Sequence, residues 1–220
     1  MSRYHDRTDA GRSLARALAS YADDPDVRVL ALPRGGVPVA FEVARALQAP
    51  LDVVLVRKLG LPDHEEYAMG AIASGGLVVL DRSVTARFGV SDDQIARTIQ
   101  RERKELERRE HLYRGGRASP DITARTVILV DDGLATGASM HAAVAALRDQ
   151  HPKRIVVAVP IGASETCAAM RTDADDVVCA ATPEPFLAIG LWYDDFSQTS
   201  DAEVRDLLER AEHEWSTPPA

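Results

Sequence analysis

Two adjacent acidic residues, Asp131 and Asp132, occupy the part of the sequence that is best equipped for chemistry. They follow the apolar run 127–130, which predicts a buried strand, and precede a loop rich in small and hydroxyl residues at 133–139. An apolar helix is predicted after the loop, and its first N–H groups and positive dipole end favour an anion. Because carboxylates suit ribose hydroxyls or a hydrated Mg²⁺, the segment is typical of a sugar-phosphate site.

Two further positions carry cations or glycines at predicted strand ends. The strand predicted at 27–32 leads into Pro33-Arg34-Gly35-Gly36, where two glycines let backbone N–H groups wrap an anion and Arg34 adds a planar charged fork. The strand predicted at 52–56 is followed by Arg57 and Lys58. Both positions are suited to bind an anion, and Lys58 is preferred over Arg57 for that role.

These residues need a scaffold in which strands and helices alternate. Strands are predicted at 27–32, 52–56, 77–80, 127–130, 154–159 and 176–179, and helices at 8–20, 37–48, 91–113, from the loop to 149, 164–172 and 200–214. The pattern predicts an α/β fold, an open and mainly parallel sheet with helices on both faces. In such a sheet the three strand-end motifs meet at one edge, as a single site requires.

Composition narrows the classes of function. The chain has 220 residues and a net charge of −8, which argues against a generic nucleic-acid binder. No apolar run approaches the length of a membrane span, and the polar start is not a secretory signal, so we expect a cytoplasmic protein without membrane contact. The six histidines show no metal-ligand spacing, and Cys167 and Cys179 are expected to be reduced structural thiols.

Residues 127–139 resemble the phosphoribosyl pyrophosphate signature of the type I phosphoribosyltransferases. Four apolar residues, two acids, a short step, Thr136-Gly137 and the hydroxyl residue Ser139 all match that pattern. The resemblance implies the fold of that family with a small hood or lid, Mg²⁺ as cofactor, phosphoribosyl pyrophosphate as co-substrate, and often a homodimer. It implies that Asp131 and Asp132 hold the ribose hydroxyls, directly or through the metal. The co-substrate phosphates would lie against these residues: Arg34, Gly35, Gly36, Arg57, Lys58, Gly133, Ala135, Thr136, Gly137, Ala138 and Ser139.

The acceptor side of the site is implied less directly. Residues 61–70 fall where the family carries a flexible catalytic loop, and their faint likeness to adenine phosphoribosyltransferases makes Glu66 the candidate for protonation chemistry, with Glu65 as the second choice. Ala135 stands where the hypoxanthine-guanine branch has an Asp, which argues against a 6-oxopurine acceptor that uses that Asp.

The C-terminal segment 186–196 holds the aromatic cluster from which the family builds a base-binding hood. Phe186, Trp192 and Tyr193 are the candidates for stacking on a heterocycle, and Asp194 or Asp195 could bind an amine or Mg²⁺. The chain is expected to be one domain over 1–220, with a core at about 8–180, a flap at about 59–120 and a hood at about 181–214.

The expected reaction joins a nitrogenous base, such as a nucleobase, to phosphoribosyl pyrophosphate and releases pyrophosphate. Two alternatives remain open at this point. A sensor of phosphoribosyl pyrophosphate would bind it without useful catalysis, and the seven Arg or Lys residues between 97 and 114 could then contact nucleic acid. A phosphorylase-like or hydrolytic enzyme acting on an existing nucleotide would share the site but not the acceptor.

Overall fold

A five-stranded parallel sheet forms the centre of the structure, a computed structural model that describes residues 3–62 and 64–215, with the backbone alone for 65, 66 and 215. Its strand order is β2-β1-β6-β7-β8. The strands are β1 (Val27–Ala31), β2 (Leu51–Val53), β6 (Thr126–Val130), β7 (Arg154–Val159) and β8 (Asp176–Cys179). The parallel register pairs Leu30 with Leu129, and Leu129 with Val157, so the central strands end at the same edge.

Alternation along the buried strands divides the core between the two faces of this sheet. Val29, Ile128 and Val156 belong to one apolar cluster, whereas Leu30 and Leu129 belong to the other. Each cluster needs a cover of helices because strands buried on both faces expose no polar side.

Helices cover both faces, as the sequence predicted. The helices are α1 (Arg7–Ala17), α2 (Gly36–Leu47), α3 (Arg82–Arg87), α4 (Asp92–Arg114), α5 (Ala138–Arg148), α6 (Ser164–Met170) and α7 (Asp201–Trp215), with 3₁₀ turns at Ala19–Tyr21 and Ile189–Trp192. Helices α1, α2 and α7 pack on the Val29 face, and α5 and α6 pack on the Leu30 face. Within the described ranges none of them has the length and apolar character that a membrane crossing requires.

A separate three-stranded antiparallel sheet lies in the region predicted as the flap. It consists of β3 (Val56–Leu61), β4 (His64–Ala73) and β5 (Val78–Leu80), in that order. The single strand predicted at 52–56 is therefore wrong, since β2 ends at Val53 and β3 begins a new sheet. The loop expected at 61–70 is also replaced, because most of it is strand β4 paired with β3.

The charged helix predicted at 91–113 is confirmed as α4, which begins with a capping box between Ser91 and Gln94. It packs against β3, β4 and α7, and its buried residues include Ile95 and Leu106. The helix also buries charge: Arg114 is 6% exposed and donates to the Asp52 carboxylate at 3.1 Å and to the Val53 carbonyl at 2.7 Å. This helix is therefore part of the packed structure rather than a solvated arm.

Cys167 and Cys179 form a disulfide, which corrects the expectation of two reduced thiols. Twelve residues separate them in sequence, and neither lies in a C-x-x-C pair that would signal the bond. The fold places Cys167 of α6 beside the end of β8, with a Cα–Cα distance of 6.6 Å that a disulfide can span. The pairing depends on the return of the chain from α6 to the sheet, which residue types alone do not specify.

We expect Arg114→Met to lower the free energy of unfolding by about 3 kcal/mol, because it leaves the partly buried Asp52 carboxylate without its cation. Urea unfolding followed by circular dichroism measures the change. Arg108→Met is the control on the same helix: Arg108 pairs with Glu105 at 2.7 Å and its side chain is 60% exposed, so we expect a much smaller loss. Equal losses in the two variants would contradict this account of Arg114.

Candidate active site

The acid pair lies at the carboxyl end of β6, at the centre of the sheet. Asp132 is 9% exposed, and its backbone N–H donates to Asp131 Oδ1 at 2.8 Å. Burial raises the pKa of the Asp131 carboxyl well above its usual value, and the neighbouring Asp132 carboxylate raises it further. Burial also raises the pKa of Asp132, although the hydrogen bond from Arg7 opposes that shift. The fold thus holds two desolvated acids side by side, an arrangement that favours hydroxyl or cation ligands.

The turn after β1 packs directly on this pair. A Cβ added to Gly35 would lie 2.0 Å from Asp132 Oδ2, and one added to Gly36 would lie 2.8 Å from the Val130 carbonyl oxygen. Only glycine fits at these approaches. The peptide bond between Pro33 and Arg34 is cis.

Arg34 is oriented by an acid from α7. Its Nη1 lies 3.8 Å from Asp201 Oδ1, and that same oxygen accepts a hydrogen bond from the Tyr113 hydroxyl at 2.6 Å. Burial and the Asp201 contact raise the pKa of Tyr113 to about 12, so the hydroxyl remains a donor. The guanidinium of Arg34 is about one-third exposed and therefore accessible to a ligand.

The loop after the acid pair is anchored at its base. Leu134 N–H donates to the Ile161 carbonyl at 2.9 Å, Ala163 N–H donates to the Leu134 carbonyl at 2.8 Å, and the Thr166 hydroxyl donates to the Ala135 carbonyl at 2.6 Å. Gly137, with φ of 76°, ends the loop in the left-handed region, and α5 begins at the next residue.

The hydroxyl residues of this loop are open to solvent. Thr136 and Ser139 are exposed, as is Ala138, whereas Gly133 and Gly137 are buried. The geometry has the parts of an anion cradle: a glycine turn, exposed hydroxyls and the first N–H groups of an eleven-residue helix.

The two adjacent cations of β3 point to opposite faces of their sheet. Arg57 donates to the buried Glu102 carboxylate of α4 at 2.9 and 2.6 Å. Lys58 is exposed and lines a cavity of about 780 Å³ together with Ser139 and His141. The alternation of the strand therefore brings Lys58 toward the loop and directs Arg57 to a structural ion pair, away from the position expected for a phosphate ligand.

The hood contacts the acid pair from the other side. Ile189 packs so closely on Gly133 that a Cβ there would lie 2.6 Å from its side chain. Phe186 and Trp192 are partly buried and pack on a small apolar cluster that contains Tyr4 and Tyr193.

Tyr193 departs from its expected role in stacking. Its ring is 3% exposed and lies 5.8 Å from the Tyr4 ring and 5.0 Å from the Phe196 ring, centroid to centroid. Its hydroxyl donates to the Asp132 backbone carbonyl at 2.6 Å, and burial raises the pKa of that hydroxyl. A ring enclosed in this way is not open to a heterocycle. Tyr193 instead stabilises the backbone of the acid pair through its bond to Asp132.

Arg7 is the site residue that the sequence did not reveal. Its Nε donates to Asp132 Oδ2 at 2.8 Å, and both side chains are 12% exposed. A single arginine in the first turn of a helix, 125 positions from its partner, carries no local signal. Glu66, the candidate for protonation, lies on β4, and both its side chain and that of Glu65 fall outside the described part of the chain.

Comparison with known proteins identifies the family to which the chain belongs. The model of the phosphoribosyl transferase domain matches residues 2–188. Two sequences of Mycobacterium tuberculosis, MT0597 of strain CDC 1551 and Rv0571c of strain H37Rv, are each 45% identical over 216 residues, which cover 98% of this chain and 48% of theirs. Their names assign them to the phosphoribosyl transferases provisionally, and the chain spans about half of their length.

Solved structures give the same fold. TT1426 from Thermus thermophilus is 42% identical, with a TM-score of 0.81 over 94% of this chain and 98% of its own. A Neisseria gonorrhoeae protein with bound ppGpp is 15% identical, with a TM-score of 0.51 over 95% and 96%, and supports the fold alone. The chain belongs to the phosphoribosyl transferase family, and its architecture is the type I phosphoribosyltransferase fold.

We expect Asp131→Asn to raise the thermal stability of the protein at neutral pH. The folded-state pKa of Asp131 lies above its usual 3.8, so between these two values the folded protein holds a proton that the unfolded chain has released. The free energy of unfolding therefore falls as pH rises from 3.8 through the folded-state pKa. The asparagine removes this penalty, and each kcal/mol relieved raises Tm by about 2–4 °C. Calorimetry at several pH values measures the gap between variant and wild type.

The difference in Tm between Asp131→Asn and wild type should widen as pH rises from about 4 toward neutrality, and should vanish at lower pH. Asp149→Asn, at the exposed end of α5, is the control for the same change of residue type, and Asp131→Asn should exceed it in Tm at neutral pH. A variant at Asp131 that melts lower than wild type at neutral pH would rule out the desolvation account.

Proposed function

We propose that the protein transfers the 5-phosphoribosyl group between phosphoribosyl pyrophosphate and a nitrogenous base, such as a nucleobase, and releases pyrophosphate. The observation that carries the proposal is the close approach of the Gly35 turn to the Asp132 carboxylate, at the edge where the anchored loop 133–139 begins. Phosphoribosyl pyrophosphate has a pyrophosphate, a diol and a phosphate in that spatial order. The Gly35 turn, the acid pair and the loop 133–139 would bind these three groups in the same order.

The acid pair and the loop would bind the ribose phosphate. Asp131 and Asp132 can accept hydrogen bonds from the ribose hydroxyls, which would relieve part of the cost of holding two acids out of water. The 5′-phosphate would take the N–H groups at the start of α5 and the hydroxyls of Thr136 and Ser139. The chain then positions the ribose with groups that are already fixed by the sheet edge.

The pyrophosphate would lie against the turn 33–36, with Arg34 as its planar donor and Lys58 as a point charge from the flap. Arg57 has no part in this proposal because Glu102 already takes its guanidinium. Charge on the pyrophosphate increases as its bond to ribose C1 breaks, so cations placed here favour the transition state over the bound substrate.

A divalent cation such as Mg²⁺ fits the chemistry of the acid pair. Among the described residues no group of three or more His, Cys, Asp or Glu side chains could hold a metal, so substrate oxygens and water would complete the coordination of an ion at Asp131 and Asp132. Bound there, Mg²⁺ would neutralise charge on the pyrophosphate and orient the ribose hydroxyls.

In the reaction itself the bond between C1 and the pyrophosphate oxygen breaks, its electrons leave with the pyrophosphate, and a nitrogen of the base forms the new bond to C1. The two carboxylates lie beside the positive charge that develops on the ribose. The base would be received by the hood, with Phe186 and Trp192 as the aromatic side chains. Glu66 is proposed to take the proton from the base.

The sensing alternative finds less support in the charged helix. Arg108 and Arg109 pair with Glu105 at 2.7 and 2.8 Å, and Arg114 is buried against Asp52. These cations are therefore engaged within the chain instead of forming a face for nucleic acid. A cytoplasmic location stays a prediction from the sequence, and a homodimer stays a prediction from the family resemblance.

The test is pyrophosphate release from phosphoribosyl pyrophosphate with Mg²⁺ and a pool of purine and pyrimidine bases. We expect wild-type release to need a base, and Asp132→Asn to cut turnover about 10²–10³-fold, as loss of one such transition-state interaction does. Asp149→Asn removes one acidic charge far from the site and should keep wild-type turnover. Splitting the pool names the acceptor.

Release that is independent of any base would indicate hydrolysis of phosphoribosyl pyrophosphate and would contradict transfer to a base. Calorimetric binding of phosphoribosyl pyrophosphate without release would favour the sensor. Asp132→Asn with wild-type turnover would contradict the assignment of the acid pair.

The neighbouring cations Lys58 and Arg57 give a matched pair of variants. We expect Lys58→Gln to slow pyrophosphate release about tenfold or more, because it removes a charged donor to the leaving group. Arg57→Gln should instead lower Tm, since it leaves the buried Glu102 with fewer donors, while activity per folded molecule stays within about twofold of wild type. Steady-state kinetics and calorimetry on both variants separate the two roles, and the opposite pattern would show that the faces of β3 are wrongly assigned.

A further inference from the structure

The N-terminal helix supplies the acid pair with a residue that lies outside the phosphoribosyl pyrophosphate signature. We propose that Arg7 is a positioning residue, which fixes the carboxylate of Asp132 for ribose binding and ties it to the hood, residues 181–214. The inference rests on the proposed function, because ribose binding by Asp132 is part of that function.

Three contacts hold the guanidinium of Arg7 in one place. Its Nε donates to Asp132 Oδ2 at 2.8 Å, its Nη1 donates to the Ser197 carbonyl at 2.7 Å, and its central carbon lies 4.0 Å from the centre of the Phe196 ring. Two of these three partners belong to the hood. Arg7 thus joins the acid pair to the segment that would receive the base.

The backbone beneath Arg7 is fixed as well. The Asp6 side chain caps α1 by accepting from the Asp9 N–H at 2.8 Å. Tyr4, just before the helix, pairs with the hood through two backbone bonds, from its N–H to the Trp192 carbonyl and from the Asp194 N–H to its own carbonyl, both at 2.9 Å. The first turn of α1 is therefore seated on the hood before the arginine side chain makes any contact.

Asp132 is held at two points as a result. Arg7 bonds to one carboxylate oxygen, and the Tyr193 hydroxyl donates to the backbone carbonyl at 2.6 Å. Because Arg7 bonds to Oδ2, we assign Oδ1 as the oxygen that accepts from a ribose hydroxyl. Since rotation of the carboxylate is already restricted in the protein before the ribose binds, less ordering entropy is lost on binding.

A purely structural ion pair does not account for this arrangement equally well. Buried ion pairs add little net stability, because desolvation offsets the attraction between the charges. The same helix carries a structural ion pair for comparison: Arg12 Nε lies 3.2 Å from Glu42, the Arg12 side chain is 58% exposed, and Glu42 is neither one of the two acids nor part of the hood. Arg7 differs by being buried and by bonding to a proposed ribose ligand.

The test compares Arg7→Gln, Arg7→Lys and Arg12→Gln with wild type. Glu42 retains Arg45 at 2.5 Å after the Arg12 change, which makes Arg12→Gln a mild control. Calorimetry measures the Kd for phosphoribosyl pyrophosphate with Mg²⁺, and pyrophosphate release gives kcat and KM. A second series introduces Arg7→Gln into the Asp132→Asn protein, and thermal unfolding is recorded for every variant.

We expect Arg7→Gln to weaken binding of phosphoribosyl pyrophosphate about tenfold or more, Arg7→Lys to restore part of that loss through its charge, and Arg12→Gln to stay within about twofold. In the Asp132→Asn background, Arg7→Gln should add less than about a twofold further loss, because residues that act through one another are not additive. A general loss of stability would lower Tm in both backgrounds and would not produce this dependence on Asp132.

Two results would overturn the inference while leaving the proposed function intact. One is Arg7→Gln with wild-type Kd, kcat and KM in an active protein. The other is the same loss of affinity with and without Asp132, which would mean that Arg7 does not act through that acid. A wild-type protein that neither binds phosphoribosyl pyrophosphate nor releases pyrophosphate would overturn the proposed function, and the inference with it.

Discussion

The placement of two adjacent carboxylates out of water is the constraint on which the rest of the site depends. Burial and mutual repulsion raise the free energy of the ionised pair. The fold accommodates the two acids because neighbouring residues pack on them and one of these residues offsets their charge. The turn after β1 closes one side, and Ile189 closes another by packing on Gly133. Arg7 supplies the opposing charge. Binding of a ligand that brings hydroxyl donors or a cation to the acids is therefore favourable, because it stabilises their ionised form.

The topology of the sheet explains why these groups meet. The chain leaves β1 toward β2 on one side of the sheet and later returns to add β6, β7 and β8 on the other side, so the order reverses between β1 and β6. Loops that follow the two strands diverge to opposite faces and leave a crevice between them, where ligands bind in such folds. The turn 33–36 and the acid pair are the first residues beyond these two strands. Their contact follows from the strand order and not from any affinity between the two segments.

The sequence predicted those parts whose signals are local. The buried strand, its two acids and the glycine-rich loop are contiguous, so each could be identified without tertiary contacts. Arg7, the disulfide and the buried state of Tyr193 could not, because each depends on a partner that the fold brings from elsewhere in the chain. The hairpin of β3 and β4 was missed for another reason. Its glycines and acidic residues are typical of loops, and cross-strand pairing overrode that preference.

The flap sheet shows how adjacent residues with the same charge can have unrelated roles. Since side chains alternate along β3, Arg57 and Lys58 cannot serve the same ligand. Arg57 joins the flap to α4 through Glu102, and Arg114 joins α4 to β2 through Asp52. The strand that carries Lys58 is thus linked by ion pairs to the edge of the central sheet. A lysine presented from such a linked sheet has a defined position relative to the loop 133–139, whereas a lysine on an unpaired loop would first have to be ordered. Movement of this cation toward a bound pyrophosphate would accordingly involve the paired strands together, because β3 is hydrogen-bonded along its length to β4.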